Sequence, residues 1–281
     1  MRIIALMNQK GGVGKTTTTV NLGAALAESG KKVCLVDLDP QSHLTINCGL
    51  DPSADLTSLY DVLLDEKSLL ASLHRLDDRM SVIPGSIDLA AAEVELVKVA
   101  GRETLLKRRI DSAVAAGGLE FDFLLMDCPP SLGLLTLNAL AAADEVMIPM
   151  QPHFLALQGV GKLLETVSLV NSRLNPRLRV SGIVLTLFDS QTRLGNEVVN
   201  DLRQFLAGAA GQRQPWSEAT IFKSRIRRNI KLAESPSFGQ TILKYDSGSH
   251  GAADYRALAR EVLAMRQGGV GSPQTVNSAV A

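Results

Sequence analysis

Nine residues near the N-terminus combine glycines, lysines and threonines at a spacing that can hold phosphate groups. Residues 9–17 read QKGGVGKTT, with an apolar, strand-like segment before them and a helix-like segment after them. Glycines let the backbone curl so that successive N–H groups point at phosphate oxygens, and the positive end of the following helix adds to the attraction. The predicted nucleotide ligands are Lys10, Gly11, Gly12, Val13, Gly14, Lys15, Thr16 and Thr17.

Three residues of this loop have separate predicted roles. We expect Lys15 to reach the β- and γ-phosphates of a nucleotide and the Thr16 hydroxyl to be a Mg²⁺ ligand. The common pattern G-x-x-x-x-G-K-[ST] requires glycine at position 9, where this chain has Gln9. The match is to the variant K-G-G-x-G-K-[ST], which Lys10 defines. A flexible glycine loop without function is the alternative, and the flanking strand and helix disfavour it.

Three carboxylates come at the ends of apolar segments. Asp37 and Asp39 stand in LVDLDPQ, and Asp127 stands in FLLMDCPP. Open α/β sheets bind ligands at the carboxyl ends of their strands, and Mg²⁺ takes only one or two carboxylates besides water. We therefore predict Thr16, Asp39 and Asp127 around the metal, with Asp127 acting through water and Asp39 also orienting the attacking water. A lone aspartate that only forms a turn is the alternative.

Strand-like and helix-like segments alternate along the chain, which predicts a parallel sheet. The fold class that we expect is α/β, with a doubly wound, mostly parallel sheet and helices on both faces. Residues 1–266 are predicted to form a single domain, and the uncharged tail, residues 267–281, is predicted to be disordered. The predicted strands are residues 3–7, 33–37, 80–83, 121–127, 145–149 and 180–187, and the clearest helices are residues 17–29, 103–115, 158–174, 195–206 and 252–265.

Composition limits the possible classes of protein. The chain has 281 residues, of which 46% are hydrophobic, and no apolar run approaches the ~20 residues that a membrane span needs. Strand-like sequence begins at Arg2, so we expect no signal peptide. Three cysteines without C-x-x-C spacing indicate reduced thiols. Lys and Arg together equal Asp and Glu at 29 each, so a polyanion must be bound by a local patch.

Together, residues 10–17, 37–41 and 127–130 resemble the three motifs of the ParA/MinD class of deviant-Walker P-loop ATPases. The resemblance covers residues 1–265, and further segments are similar to small ParA/Soj partition ATPases. These further segments are VIPGS at 82–86, PPSLG at 129–133, residues 182–187, ESPS at 234–237 and ILKYD at 242–246.

The resemblance implies a function and a set of partners. Its ligands would be ATP and Mg²⁺, with Lys10, Lys15 and Asp39 as catalytic residues. ATP would join two copies face to face, because a second positive charge from Lys10 of one copy stabilises the γ-phosphoryl group of the other. The dimer would bind double-stranded DNA without sequence preference, in the cytoplasm at the nucleoid. A ParB-like partner would accelerate hydrolysis, and the role would be chromosome or plasmid partition.

A cationic run is the predicted DNA-binding surface. Its five cations within nine residues are Lys223, Arg225, Arg227, Arg228 and Lys231. Such a cluster neutralises phosphates and binds in a salt-dependent way without base readout, and the absence of aromatic residues within the run argues against stacking on single strands. A solvated charged face is the alternative. Arg193 and Arg203 could extend the patch.

Four alternatives stay open to different degrees. A ParA-like ATPase that positions a carboxysome or a chemoreceptor cluster would share all of these motifs. A MinD-like protein would need a basic amphipathic C-terminal helix for the membrane, which the uncharged tail disfavours. A nitrogenase-reductase-like carrier would need two cysteines for a shared cluster, and Cys48 is the one cysteine that we expect to be exposed. The larger, operon-repressing plasmid type would have an N-terminal helix-turn-helix extension, which we do not expect here.

Overall fold

An eight-stranded sheet forms the centre of the molecule in the computed structural model, which describes residues 1–153 and 156–265. The strand order is β3-β4-β2-β5-β1-β6-β7-β8, and all neighbours are parallel except β3 and β4. The strands are β1 (Arg2–Leu6), β2 (Val33–Asp37), β3 (His74–Arg75), β4 (Met80–Ile83), β5 (Phe123–Asp127), β6 (Glu145–Met150), β7 (Arg179–Phe188) and β8 (Thr220–Arg227).

Helices cover both faces of this sheet. In the described part of the chain they are α1 (Lys15–Glu28), α2 (His43–Asn47), α3 (Leu59–Leu63), α4 (Leu89–Glu95), α5 (Leu105–Ala115), α6 (Leu134–Ala142), α7 (Ala156–Arg173), α8 (Arg193–Ala209), α9 (Ile230–Glu234), α10 (Ile242–Tyr245) and α11 (His250–Ala264). Side chains of α3 to α8 belong to one core cluster, and those of α1, α2 and α9 to α11 belong to the other. The predicted doubly wound α/β fold is confirmed.

The central strands are apolar without interruption because both faces of the sheet are covered. Every residue of β2 and β5 is buried. Alternate side chains enter opposite cores: Leu35 packs on the α1 side, whereas Cys34 and Val36 pack on the other. The two strands end in register, with Asp37 paired to Asp127. Two carboxylates 90 residues apart in the chain therefore become neighbours at one edge of the sheet.

The sequence pattern missed the two outermost strands, β3 and β8. β3 has only two residues, too few for a periodic signal. β8 alternates imperfectly between buried and exposed positions, and its cations hide the strand pattern. The cationic run therefore begins inside an edge strand and continues into α9.

Carboxylates of α11 cover backbone donors of this edge strand. Glu261 accepts hydrogen bonds from the backbone N–H groups of Lys223 and Ser224 at 2.9 and 2.6 Å. Asp254 accepts one from the Arg227 backbone N–H at 3.0 Å. Paired edge donors cannot recruit a further strand.

No helix among the residues described is both long and apolar enough to cross a membrane.

Candidate active site

The glycine-rich loop lies between the central strand β1 and helix α1. Gly12 and Gly14 have φ of +72° and +81°, a left-handed conformation that costs other residues about 1–2 kcal/mol. Thr186 of β7 holds the loop from behind, because its hydroxyl donates to the Val13 carbonyl at 2.7 Å. The loop backbone is therefore fixed from inside the fold.

Lys15 is the first residue of α1 and is only 7% exposed, although it is a lysine. Its ammonium group donates to the Lys10 carbonyl at 3.3 Å, so the side chain folds back across its own loop. No acidic residue stands in the first turn of α1, and the N-cap is glycine. The positive end of the helix and the buried cation are thus available to an anion.

Thr16 and Asp127 lie side by side. The Thr16 hydroxyl donates to Asp127 Oδ2 at 2.6 Å, and Thr19 donates to Asp127 Oδ1 at 3.4 Å. Burial, followed by the negative charge of Asp37, raises the pKa of Asp127 well above its usual range, although Thr16 and Lys15 oppose this. The nearby positive charge is not enough to stabilise an ionised carboxylate in this buried position. A bound cation would stabilise it.

Asp37 is fully buried and holds together three segments of the site. Its Oδ2 accepts from the Thr45 backbone N–H at 2.9 Å and from the Thr45 hydroxyl at 2.7 Å, and its Oδ1 accepts from the Asp39 N–H at 3.2 Å. The Thr45 hydroxyl in turn accepts from the Gly85 N–H at 2.9 Å. Asp37 therefore orients the loop that carries Asp39.

Lys10 is exposed at the start of the loop and contacts a distant segment. Its ammonium group lies 2.6 Å from Nε2 of His153, which follows β6. Asn8 fixes the backbone here, because its side chain accepts from the Lys10 N–H at 3.0 Å and donates to the Pro149 carbonyl at 2.8 Å. No sequence pattern predicted this contact, which joins residues 143 positions apart.

A cavity of about 580 Å³ lies at the carboxyl ends of the strands, and Lys10, Val13, Asp37 and Asp127 are not among the residues that line it. One wall contains Gly11, Gly12, Gly14, Lys15, Thr16, Thr17 and Asp39 of the predicted set. Other lining residues, which were not predicted as nucleotide ligands, include Arg227, Asn229, Leu232, Pro236 and Tyr255. Arg227 was predicted to bind DNA, and Pro236 lies in the ESPS segment at 234–237. Leu187 also lines the cavity and has φ of +48°, a strained conformation that tends to cluster at functional sites.

The structure divides the predicted DNA-binding residues into two groups. Arg227 forms a two-pronged ion pair with Asp254, with its shorter contact at 2.7 Å, and Lys231 pairs with Glu234 at 2.9 Å. The other three are Lys223, Arg225 and Arg228. They line one surface concavity together with Arg227 and Asp189, and Arg225 lies 4.4 Å over the Phe188 ring. Among the residues that the structure describes, these three form no ion pair.

The cysteines do not form a metal-binding group. Cys34 and Cys128 are buried and Cys48 is half-buried. Burial raises the pKa of all three thiols, which disfavours the thiolate form that binds metal. No cluster of three His, Cys, Asp or Glu residues that could hold a metal occurs within residues 1–153 and 156–265. The nitrogenase-reductase-like interpretation has no support from these positions.

A parallel sheet with a glycine-rich loop between its central strand and a helix, and a carboxylate at the end of the adjacent strand, defines a P-loop nucleotide-binding protein. The AAA domain family model matches residues 1–180. The sporulation initiation inhibitor protein Soj of Bacillus subtilis is 43% identical over 264 residues, which are 94% of this chain and 98% of Soj. The chain belongs to the ParA/Soj family of ATPases.

Two further relatives agree with this assignment. The chromosome partitioning protein ParA of Myxococcus xanthus is 42% identical over 93% of this chain and 88% of its own length. A Mycobacterium smegmatis protein named cobyrinic acid a,c-diamide synthase was solved with a bound ATP analog and magnesium. It is 40% identical, covers 94% of both chains and superposes with a TM-score of 0.76. The predicted family is therefore confirmed by sequence and by fold.

Proposed function

We propose that this ParA/Soj-family ATPase hydrolyses Mg·ATP, forms an ATP-dependent face-to-face dimer and uses that dimer to hold DNA during chromosome or plasmid partition. The observation that carries the proposal is the phosphate loop: Lys15 is buried at the cavity, whereas Lys10 is exposed on the same loop. One lysine is available to the chain's own nucleotide and the other to a neighbour. Relatives named for chromosome partition support the same role.

The residues present fit a magnesium ion. Thr16 and Asp39 line the cavity, and the buried Asp127 carboxylate lies 2.6 Å from the Thr16 hydroxyl. Hard oxygen ligands of this kind are those that Mg²⁺ prefers. The raised pKa of the buried Asp127 carboxylate indicates a local shortage of positive charge. When bound, the ion would neutralise charge on the phosphate oxygens.

Asp39 is the proposed water-orienting residue. It is half-buried, lines the cavity and has one carboxylate oxygen engaged by the Gln41 N–H at 3.0 Å, which leaves its other oxygen for a water molecule. Its proposed contribution is the orientation of the attacking water, the role that a glutamine has in small GTPases.

Lys223, Arg225 and Arg228 are the proposed contacts to DNA phosphates. Their charges are not compensated by ion pairs within the described residues, whereas Arg227 and Lys231 are paired. Two copies in a dimer would present twice this charge to one duplex, which explains how ATP could switch DNA binding on. Salt-dependent affinity without sequence preference would follow. A ParB-like activator is part of the proposal and would act on this dimer.

Three variants test the nucleotide and dimer parts of the proposal. Lys15→Ala should abolish ATP binding in calorimetry, because the phosphates lose their buried cation. Lys10→Ala should bind ATP as the parent protein does but stay monomeric in light scattering with a slowly hydrolysed analogue. Asp39→Ala should dimerise but hydrolyse ATP very slowly. A dimeric Lys10→Ala protein would contradict the shared site, and normal ATP affinity in Lys15→Ala would contradict the assignment of the loop.

A charge-reversal pair tests the DNA part. Lys223→Glu combined with Arg228→Glu should remove DNA binding and leave ATP-dependent dimerisation unchanged, because neither residue contacts the nucleotide cavity. Arg203→Glu, an exposed change on α8, is the matched control. In the parent protein the log–log slope of affinity against salt should be about −0.9 for each phosphate neutralised. Retained binding in the double variant, with loss in Arg203→Glu, would move the DNA surface to α8.

A further inference from the structure

Lys10, which would reach the second copy in the proposed dimer, already has a hydrogen-bond partner within its own chain. Lys10 Nζ lies 2.6 Å from His153 Nε2. Lys10 is exposed, so water could solvate its ammonium group equally well. A specific contact at this distance therefore points to a preferred resting position of the side chain.

The backbone brings these two side chains together. Asn8 is 6% exposed and bonds both to the Lys10 N–H and to the Pro149 carbonyl. The start of the phosphate loop is thereby tied to β6, and His153 follows β6 by three residues. The His153 carbonyl accepts from the N–H of Ala156, the first residue of α7. The backbone of each partner is therefore fixed by a hydrogen bond, from the Lys10 N–H to Asn8 and from the Ala156 N–H to the His153 carbonyl.

The protonation states follow from the donor chemistry. An ammonium group has donors and no acceptor, so the His153 Nε2 must accept and the ring must be neutral. Partial burial, and then the positive charge of Lys10, lower the pKa of His153 below its ordinary value. A protonated His153 would lose the hydrogen bond and repel Lys10.

We propose that His153 is the positioning residue of Lys10: it holds the ammonium group against the segment after β6 in the monomer, and this hydrogen bond must break before Lys10 can reach the nucleotide of a second copy. The inference rests on the proposed function, because it concerns a step of dimer assembly. Removing His153 should therefore favour the dimer, and keeping an uncharged acceptor at position 153 should restore the parent behaviour.

The charged surroundings of His153 are simple. Lys10, on the phosphate loop, is the charged group that shifts the His153 pKa. The neighbouring elements are α7, whose first residue donates its N–H to the His153 carbonyl, and the start of α8, where a Cβ at Gly195 would lie 3.9 Å from Pro152. The charged residues nearest these ends are Lys162 on α7, Asp189 after β7 and Arg193 on α8. Acidification below the lowered pKa of His153 should protonate the ring, free Lys10 and strengthen ATP-dependent dimerisation.

The resting contact can be tested without nucleotide. NMR titration of the His153 ring in the full chain should give a higher pKa in Lys10→Ala than in the parent protein, because the neighbouring charge is gone. Lys162→Ala, an exposed lysine variant on α7, is the matched control and should not change it. An unchanged His153 pKa in Lys10→Ala would overturn the proposal whatever the dimer does.

The assembly step is tested by sedimentation with a slowly hydrolysed ATP analogue. An ordinary hydrogen bond changes an equilibrium constant by a net factor of about two to ten. Because this contact is exposed to water, His153→Ala should dimerise about fivefold more tightly for each copy at pH 7.5. His153→Gln, whose amide oxygen can accept from Lys10, should match the parent at pH 7.5 and lose the response to acid. His250→Gln, exposed at the start of α11, should keep that response.

The outcomes separate this proposal from the proposed function. Equal dimerisation of His153→Ala and His153→Gln, or an acid response that persists in His153→Gln, would overturn the positioning role while leaving the ATP dimer intact. A parent protein that stays monomeric with the analogue would overturn the proposed function and the assembly step together. In that case the NMR titration still decides whether Lys10 rests on His153.

Discussion

Replacing Thr45 by valine tests how the site is held together. Thr45 is fully buried, and its hydroxyl donates to Asp37 at 2.7 Å while accepting from the Gly85 N–H at 2.9 Å. Valine has nearly the same shape but cannot make either hydrogen bond. The backbone N–H of Thr45 still donates to Asp37, so the change removes one of the two contacts that Thr45 makes to the carboxylate.

The expected loss can be worked from these contacts. A buried hydrogen bond to a charged group contributes about 1.5–3 kcal/mol, and leaving the Gly85 N–H unpaired costs about 1–3 kcal/mol. We therefore expect Thr45→Val to lower the free energy of unfolding by about 3–5 kcal/mol at neutral pH. That is a large fraction of the ~5–15 kcal/mol by which a domain is stable.

The loss should also depend on pH. Burial raises the pKa of Asp37 to about 6 despite the Thr45 hydrogen bonds, whereas an unfolded aspartate has a pKa of about 3.9. The folded state then binds more protons between pH 4 and 6, so the contribution of Asp37 to stability falls as the pH rises through that window. Thr45→Val should raise this pKa further. The difference between variant and parent should thus be about 1–2 kcal/mol larger at pH 8 than at pH 5.

Urea unfolding of the nucleotide-free protein, with magnesium removed, measures these differences. Thr45→Ser keeps the hydroxyl and loses only a buried methyl group, at about 1 kcal/mol, so it is the matched control. The reasoning fails if Thr45→Val is as stable as Thr45→Ser, or if the loss is the same at pH 5 and pH 8.

Two further predictions concern other parts of the fold. Gly14→Ala should weaken ATP binding and lower the free energy of unfolding by about 1–2 kcal/mol, because the φ of Gly14 is +81°. Gly211 has a φ of +77° and lies in open space, so Gly211→Ala should be destabilised to the same extent. Its ATP affinity, measured by calorimetry, should equal that of the parent protein. Glu145 is 1% exposed and pairs with Arg2 at 2.9 Å and Arg179 at 3.0 Å. Glu145→Ala should therefore cost about 3–5 kcal/mol in urea unfolding; a loss below 1 kcal/mol would contradict the ion-pair account.

The phosphate loop could be predicted from the sequence because all of its ligands are contiguous. Backbone donors, Lys15 and Thr16 come from one short run, so the local pattern contains the geometry of that wall. Their roles as ATP and Mg²⁺ ligands stay predictions. The predicted disorder of residues 267–281 lies outside the residues that the structure describes, and the single domain stays a prediction.

The cationic run shows where local pattern was insufficient. Five cations in nine residues indicated one continuous patch. The strand β8 and the carboxylates of α11 divide this run, because Arg227 forms an ion pair with Asp254, which lies 27 residues further along the chain. Which cations stay free depends on what packs beside them, and composition does not contain that information.

The sequence by itself determined the alternation of the six inner strands with helices, the apolar central strands and the phosphate loop, since each depends on neighbours along the chain. Only the tertiary structure decided which carboxylates meet. The register of β2 and β5 pairs Asp37 with Asp127, and the Asn8 bridge to β6 brings Lys10 to His153. The physical reason is that parallel strands adjacent in the sheet are far apart in the chain, so their shared edge forms only when the sheet is complete.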